Sequence, residues 1–333
     1  MEKLQQEWNE IFVRADAVYI YGNGAICHAV LRLIKLYGDR NKVRGIIVSE
    51  LDGTPAADES LPIMTPDDVQ DKNAQIIVAV SVKFRDDIFE LLSNKGFNHY
   101  VWAHKYLHLF DEGNKIDGER IEKINVLRKL PKNRETLKDI LRIMYGESQQ
   151  FGEAEFYQSL PSIDLEGVRD TRIRLQTYML EDLIRNEEVL DIGSNCGFLD
   201  LTLASVAKHI DGVEYNESLV MVANEAKNYL EIENVSFFQG DFTRMCVERQ
   251  YDTVFFFAVH EWIDMSPSDA VEKLCSFLRK EGTIVFESQN WDLGDERFEL
   301  YCEEMKKRGF RPLREGFVSD DGKTHRKFVI LQK

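Results

Sequence analysis

The residue types able to do chemistry gather in the second half of the chain. In Val189-Leu-Asp191-Ile-Gly193-Ser194-Asn195-Cys-Gly197, an apolar, β-type run ends in a carboxylate and passes through a glycine-bearing turn into a helical pattern. Glycines let the backbone pass close to a ligand, and the free amides of a helix start favour an anion. Glu214 closes the next strand-like run, 23 positions after Asp191, about where a ribose-hydroxyl acceptor lies in a dinucleotide-type unit. The third run ends Gln239-Gly-Asp241-Phe242, an acceptor for an exocyclic amine beside an aromatic residue that is either a stacking face or part of the core. An adenosine would satisfy both.

Two further segments combine a possible base with an aromatic wall. Ala258-Val-His260-Glu261-Trp262 follows a fourth apolar run, and Glu287-Ser-Gln-Asn290-Trp291 follows a fifth. His260 and Glu287 are the candidate general bases, with Glu261, Trp262 and Asn290 as substrate contacts. The alternative is structural: His260 orients its loop and Glu287 caps a helix. Upstream, Arg169 and Arg172 could take an anionic substrate through bidentate guanidinium contacts, or pair with neighbouring acids.

These residues need a doubly wound sheet to position them. Strand-like runs at Val189–Ile192, Ile210–Val213, Val235–Phe238, Thr253–Phe257 and Thr283–Phe286 alternate with helical stretches, which predicts parallel pairing. Gly316–Ser319 and Lys327–Leu331 flank the turn Asp320-Asp-Gly322 and predict a closing antiparallel hairpin. In such a sheet, ligands bind beyond the carboxyl ends of the strands, where all the residues named above fall.

At these residues the chain resembles the class I S-adenosylmethionine-dependent methyltransferases, whose first motif has the form D-x-G-x-x-x-G and whose sheet ends in a reversed hairpin. The resemblance covers about residues 185–333. It implies that Asp191 and the Gly193-Ser194-Asn195-Cys196-Gly197 turn hold the methionine end of S-adenosylmethionine. It further implies that Glu214 binds the ribose, that Asp241 and Phe242 frame the adenine, and that Ala258 belongs to the cofactor-facing set. Asn195 stands where many members have a third glycine, which leaves the turn geometry open. The segment Phe156–Arg172 is similar to those ahead of the core in some bacterial methyltransferases of cell-surface glycan and small-molecule pathways. That implies a small-molecule or glycan-precursor acceptor, more readily at oxygen.

The first 110 residues carry a second strand–helix alternation, beginning with Ala17–Tyr21 and the turn Gly22-Asn-Gly24-Ala-Ile-Cys27. Two fingerprint glycines are present, Cys27 replaces the third, and Glu50 follows the second strand at roughly the ribose-binding distance. This part resembles small Rossmann-like domains of bacterial sugar-modifying enzymes, which implies either a nucleotide-type ligand or a bare scaffold. Between about 111 and 150, apolar residues at helical spacing on both sides of Pro131 predict two linking helices. The expected architecture is therefore α/β with two Rossmann-like doubly wound domains: 1–110, a helical linker 111–150, and a methyltransferase domain 151–333.

Composition narrows the rest. Against 58 Asp and Glu stand 42 Lys and Arg, a formal charge of −16, which argues against bulk nucleic acid as partner. The five cysteines are widely spaced with no Cys/His cluster, so free thiols are expected rather than disulfides or a metal site. The start MEKLQQEWNE lacks a signal pattern and no apolar run reaches membrane-spanning length, so a cytoplasmic enzyme is expected. Two other classes remain open: a non-catalytic two-domain binding or regulatory protein, and a nicotinamide-dependent oxidoreductase working through the first domain.

Overall fold

The computed structural model describes residues 2–51, 53–80, 84–107, 118–145, 156–246, 248–289 and 291–333. The chain divides into two compact units, Met1–Lys115 with Glu147–Ala154, and Ile116–Gly146 with Glu155–Lys333.

The first unit is a five-stranded parallel sheet of order β3-β2-β1-β4-β5, with β1 Val18–Tyr21, β2 Val43–Ile47, β3 Ile63–Met64, β4 Gln75–Val78 and β5 Tyr100–Trp102. The expected strands and the helices Ala25–Tyr37 and Arg85–Asn94 are present. A helix over Glu2–Arg14, absent from the sequence expectation, seals the core by burying Trp8 against Phe12 and Tyr106. Gly22 has φ +112°, and a Cβ there would stand 2.5 Å from the Ala79 carbonyl oxygen, so only glycine fits this turn. Asn23 clamps a neighbouring loop, donating to the Pro55 carbonyl at 2.8 Å and accepting from the Ala57 N–H at 2.7 Å. Cys27 is fully buried and Glu50 is exposed.

In the second unit, β6 Phe156–Gln158 and β7 Gly167–Arg169 form a small parallel pair. They precede a seven-stranded sheet of order β10-β9-β8-β11-β12-β14-β13. Its strands are β8 Glu188–Ile192, β9 His209–Glu214, β10 Val235–Gln239, β11 Tyr251–Phe257, β12 Leu278–Glu287, β13 Arg311–Val318 and β14 Arg326–Gln332. The first five are parallel; β14 runs antiparallel to both β12 and β13. Strands buried on both faces read as continuous apolar runs, and β11 is the clearest case, with Val254, Phe255 and Phe256 all fully buried.

The helices between the two sequence domains are Gly118–Leu127 and Arg134–Tyr145. They pack on the second unit: Ile124, Leu137, Ile140, Leu141 and Met144 join the cluster of Leu219, Val222 and Ala226 from the helix Glu217–Tyr229. Polar ties reinforce this, with Asn133 N–H donating to the Tyr229 hydroxyl at 2.9 Å and Arg128 pairing with Glu225 at 2.6 Å. A fragment of residues 116–333 is therefore expected to unfold cooperatively by itself. One starting at 156 uncovers the face that these helices bury and should unfold at lower urea concentration; equal midpoints would show that the helices contribute nothing to this core.

Candidate functional site

The motif around Asp191 has the geometry of a ligand turn. Asp191 sits on β8 one residue from its carboxyl end, 2% exposed, with Oδ1 lacking a hydrogen-bond partner. The turn is fastened from behind, since the N–H groups of Gly193 and Ser194 both donate to the Val213 carbonyl of β9, at 2.8 and 3.1 Å. Gly193, at φ +82°, leaves a position where a Cβ would meet Val259 Cγ1 at 2.3 Å, so glycine lets the loop after β11 close onto the turn. Asn195 adopts φ +54° in the left-handed region, which asparagine tolerates better than most residues. The missing third glycine therefore leaves the turn intact. Ser194 is 1% exposed and its Oγ has no partner.

Glu214, the last residue of β9, is tied to the same turn. Its Oε2 accepts the Asn195 N–H at 3.0 Å and Oε1 accepts the Asn216 N–H at 2.9 Å. Burial pushes this carboxyl above the usual range, with these backbone donors pulling the other way. Ala258 directly follows β11 with φ +54°, a conformation that strains a non-glycine residue and that collects at functional sites. Asp191, Gly193, Ser194, Asn195, Gly197, Glu214 and Ala258 thus share one edge of the sheet.

Asp241 lies beyond β10, its Oδ1 accepting from the Thr243 N–H and hydroxyl at 2.8 and 2.7 Å. Phe242 requires a correction: it is 6% exposed and its ring packs near Phe256 and Phe277, so it is a core residue rather than a stacking face. The exposed aromatics at this edge are Tyr215 and Phe238.

The two candidate bases are enclosed. Glu287 is fully buried and saturated: Arg174 and Arg326 each donate to Oε1 at 2.6 Å, and the Tyr178 hydroxyl donates to Oε2. With Oε1 held by two guanidiniums and Oε2 by the Tyr178 hydroxyl, the fully buried carboxylate lies within an ion-pair network and presents no open face to a substrate. His260 is also fully buried, edge-on to Phe286, Phe298 and Tyr301, with Nε2 against the Asp295 carboxylate at 3.0 and 3.1 Å. This geometry matches the loop-orienting alternative. Burial alone would raise Asp295, but His260 and the N–H groups of Gln289 and Phe298 outweigh it and hold the carboxyl below its ordinary range. His260, Glu261 and Asp295 bring possible metal-ligand atoms within 4.8 Å of one another, a grouping that the cysteine and histidine spacing did not suggest. Glu261 is buried and Trp262 half-buried. Asn290 lies outside the described residues.

Of the two readings of the arginines, Arg169 follows the ion-pair alternative. Arg169 is buried and paired with Asp320 and Asp321, so it is not open to an anionic substrate, whereas Arg172 is exposed with Asp164 at 3.9 Å. Sequence reasoning missed Arg174, which bridges Asp320 at 2.8 Å and Glu287, and Arg326, which joins Glu287 to the Tyr157 hydroxyl at 2.9 Å. The signal lay in a third arginine, Arg174, five positions after Arg169, and in the two acids of the hairpin turn. Their partners, however, are more than a hundred residues away.

Residues 184–319 match a family model described as a methyltransferase domain. The second unit carries a methyltransferase domain. Such a domain takes S-adenosylmethionine, and the residues present fit it: a buried strand-end acid and a serine with unpartnered oxygens, a glycine turn, and an acid closing the next strand. Over 104 residues the chain is 33% identical to the malonyl-[acyl-carrier protein] O-methyltransferase of Halalkalibacterium halodurans, covering 29% of this chain and 37% of that protein. Over 146 residues it is 32% identical to the release factor glutamine methyltransferase of Fusobacterium nucleatum, covering 41% and 38%. A weaker relative is the U6 snRNA methylphosphate capping enzyme Amus of Drosophila melanogaster, 26% identical over 132 residues, covering 33% and 44%. The chain thus spans less than half the length of these relatives, and their names point to unlike acceptors, one of them an RNA. Among solved structures, the N-methyltransferase NodS of Bradyrhizobium japonicum in complex with S-adenosyl-L-homocysteine aligns with a TM-score of 0.41 at 13% identity, covering 49% of this chain and 86% of that one. All five cysteines are free. No helix among the described residues is long and apolar enough to cross a membrane.

Removing one partner of a buried ion pair strands the others, at a cost of about 3–5 kcal/mol. Glu287→Gln is expected to lower stability by that order, read as a drop in urea midpoint with unchanged slope. A midpoint equal to the parent's would mean that Arg174 and Arg326 do not depend on this carboxylate.

Proposed function

We propose that the chain transfers the methyl group of S-adenosylmethionine to an oxygen of a small-molecule or glycan-precursor acceptor, at the carboxyl edge of the second sheet. The observation that carries the reading is the Asp191–Gly197 turn: Asp191 Oδ1 and Ser194 Oγ are buried without an N–H or O–H donor or acceptor partner, the Val259 side chain closes on Gly193, and the Asn195 N–H is tied to Glu214. The acceptor class rests on the resemblance of Phe156–Arg172 to segments that precede glycan and small-molecule methyltransferase cores.

The cofactor supplies an electrophilic methyl on a sulfonium. Asp191 and the turn backbone would hold its methionine end, Glu214 would accept the ribose hydroxyls, and Asp241 would accept from the adenine amine. Methyl transfer is an in-line displacement, so alignment of acceptor and methyl carries much of the rate. In this reading His260 and Glu287 act by fixing the loops after β11 and β12. For the first unit, the proposal is a nucleotide-type ligand at the Gly22–Gly24 turn. It is supported by the helix Ala25–Tyr37 beginning at Gly24 with no side-chain cap on its first amides.

Asp191→Ala is expected to abolish S-adenosylhomocysteine binding in calorimetry, while Glu214→Ala weakens it by the loss of charged hydrogen bonds, roughly 1.5–3 kcal/mol. Unchanged affinity in a folded Asp191→Ala variant would misplace the site. Burial raises Asp191 to about 7, with Asp200 and Arg174 pulling it down and Glu214 and Glu287 pushing it up. The carboxylate form therefore gains population as pH climbs through that value, and affinity for S-adenosylhomocysteine should rise with it; a flat profile between about pH 6 and 8 would contradict an acid with this pKa.

Turnover is tested with labelled cofactor against a panel of hydroxyl-bearing metabolites read by mass spectrometry. His260→Ala is expected to lower stability yet keep turnover per folded molecule within about tenfold. A loss of roughly 10²–10⁴-fold with cofactor affinity intact would instead make His260 the base.

A further inference from the structure

Asp200 is an acid with no place in the site so far described. It lies in the helix Phe198–Leu203, directly after the glycine turn, fully buried, and neither carboxyl oxygen has a hydrogen-bond partner when both are treated as acceptors. Its position is set by a missing side chain. Asp200 Oδ2 stands 2.9 Å from where a Cβ on Gly212 would be, and Gly212 of β9 is the register partner of Asp191 on β8. Paired residues of neighbouring strands project to the same face of a sheet. Gly212 therefore leaves open the space in which Asp200 meets Asp191.

Two buried carboxyls in contact do not both ionise, because burial and mutual repulsion each favour the neutral form. The charged groups acting on Asp191 include the guanidinium of Arg174 beside the carboxyls of Glu214 and Glu287, whereas the charged group acting on Asp200 among the described residues is Asp191. The nearby cation therefore favours charge on Asp191, and the proton resides on Asp200. In agreement, burial and then Asp191 push Asp200 well above the ordinary carboxyl range.

We propose that Asp200 is a positioning residue that stays protonated and donates its O–H to Asp191, so that the pair carries one proton and one negative charge. The bond fixes the Asp191 carboxylate and leaves it acceptor capacity for the cofactor. The use made of Asp191 rests on the methyltransferase reading above; the shared proton belongs to the protein alone.

Infrared difference spectroscopy of the cofactor-free protein against Asp200→Asn, at about pH 8 where ordinary carboxyls are ionised, tests the proton directly. A carboxylic-acid carbonyl band in the parent that is absent from the variant is expected, and its absence from the parent would overturn the proposal. Calorimetry with S-adenosylhomocysteine tests the positioning. Asp200→Asn keeps a donor to Asp191 and should bind within about threefold of the parent, whereas Asp200→Ala should lose about tenfold or more. Should Asp200→Ala fail to fold, the Asn variant and the band carry the test. An Asn variant that folds but binds as weakly as the Ala variant, or tenfold or more below the parent, would overturn the positioning role. If the parent shows the band yet binds no S-adenosylhomocysteine, the methyltransferase reading fails and the shared proton stands.

Discussion

Glu287 is the point on which the upper edge of the second unit depends. Burying a carboxylate at the end of a central strand is unfavourable unless cations come with it. Arg174 comes from the helix Thr171–Tyr178 and Arg326 from the start of β14, so one strand end recruits two distant segments. Arg174 extends the network to Asp320, where Arg169 also docks, and Arg326 extends it to Tyr157. The segment ahead of the sheet and the hairpin behind it are thereby held at the same edge as the cofactor turn. Arg174 also acts on Asp191, so the network that organises the edge sets part of the charge in the site.

The balance within that network explains its pKa pattern. Burial alone would raise Asp321, but the Thr324 N–H and O–H, the Lys323 N–H and Arg169 outweigh it and hold the carboxyl at about 2. Asp320 is likewise held low by Arg174, Arg169 and Arg326 against its own burial. Acids with depressed values favour the fold above the ordinary carboxyl range and lose that contribution as pH falls towards about 2. Asp191 and Asp200, raised instead of lowered, oppose them: both favour the fold most in acid, and the contribution of Asp191 is lost as pH rises through about 7. The two kinds of acid differ because Asp320 and Asp321 are held by guanidiniums and hydroxyl or backbone donors, whereas Asp191 and Asp200 are buried against each other.

Sequence reading succeeded where the information is local. Strand, acid, glycine turn and helix are contiguous at Asp191–Gly197, and the alternation of apolar runs and helical stretches carries the parallel order, so both were legible. The hairpin was legible from Asp320-Asp-Gly322, although β13 begins at Arg311, well before the expected Gly316. What failed was chemistry that depends on partners far along the chain. Glu287 reads as a base or a helix cap until Arg174, 113 positions away, is placed beside it. Phe242 reads as a stacking surface until Phe256 and Phe277 cover it, and Asp200 carries no signal at all until the absent side chain of Gly212 brings it to Asp191.

The strand order also constrains when this fold can form. β14 follows every other strand in sequence, yet it lies inside the sheet, bonded to β12 on one side and β13 on the other. During synthesis β13 emerges with no sheet edge of its own to join, and Arg326 has not yet reached Glu287. Five parallel strands can assemble while a nascent chain is still being extended, but the hairpin and the charge network wait for β14. Until then the edge of β12 stays unpaired and the Glu287 carboxylate lacks one of its two cations. The nascent domain thus passes through a stage with an open strand edge, the kind of edge that templates wrong pairings and that chaperones shield.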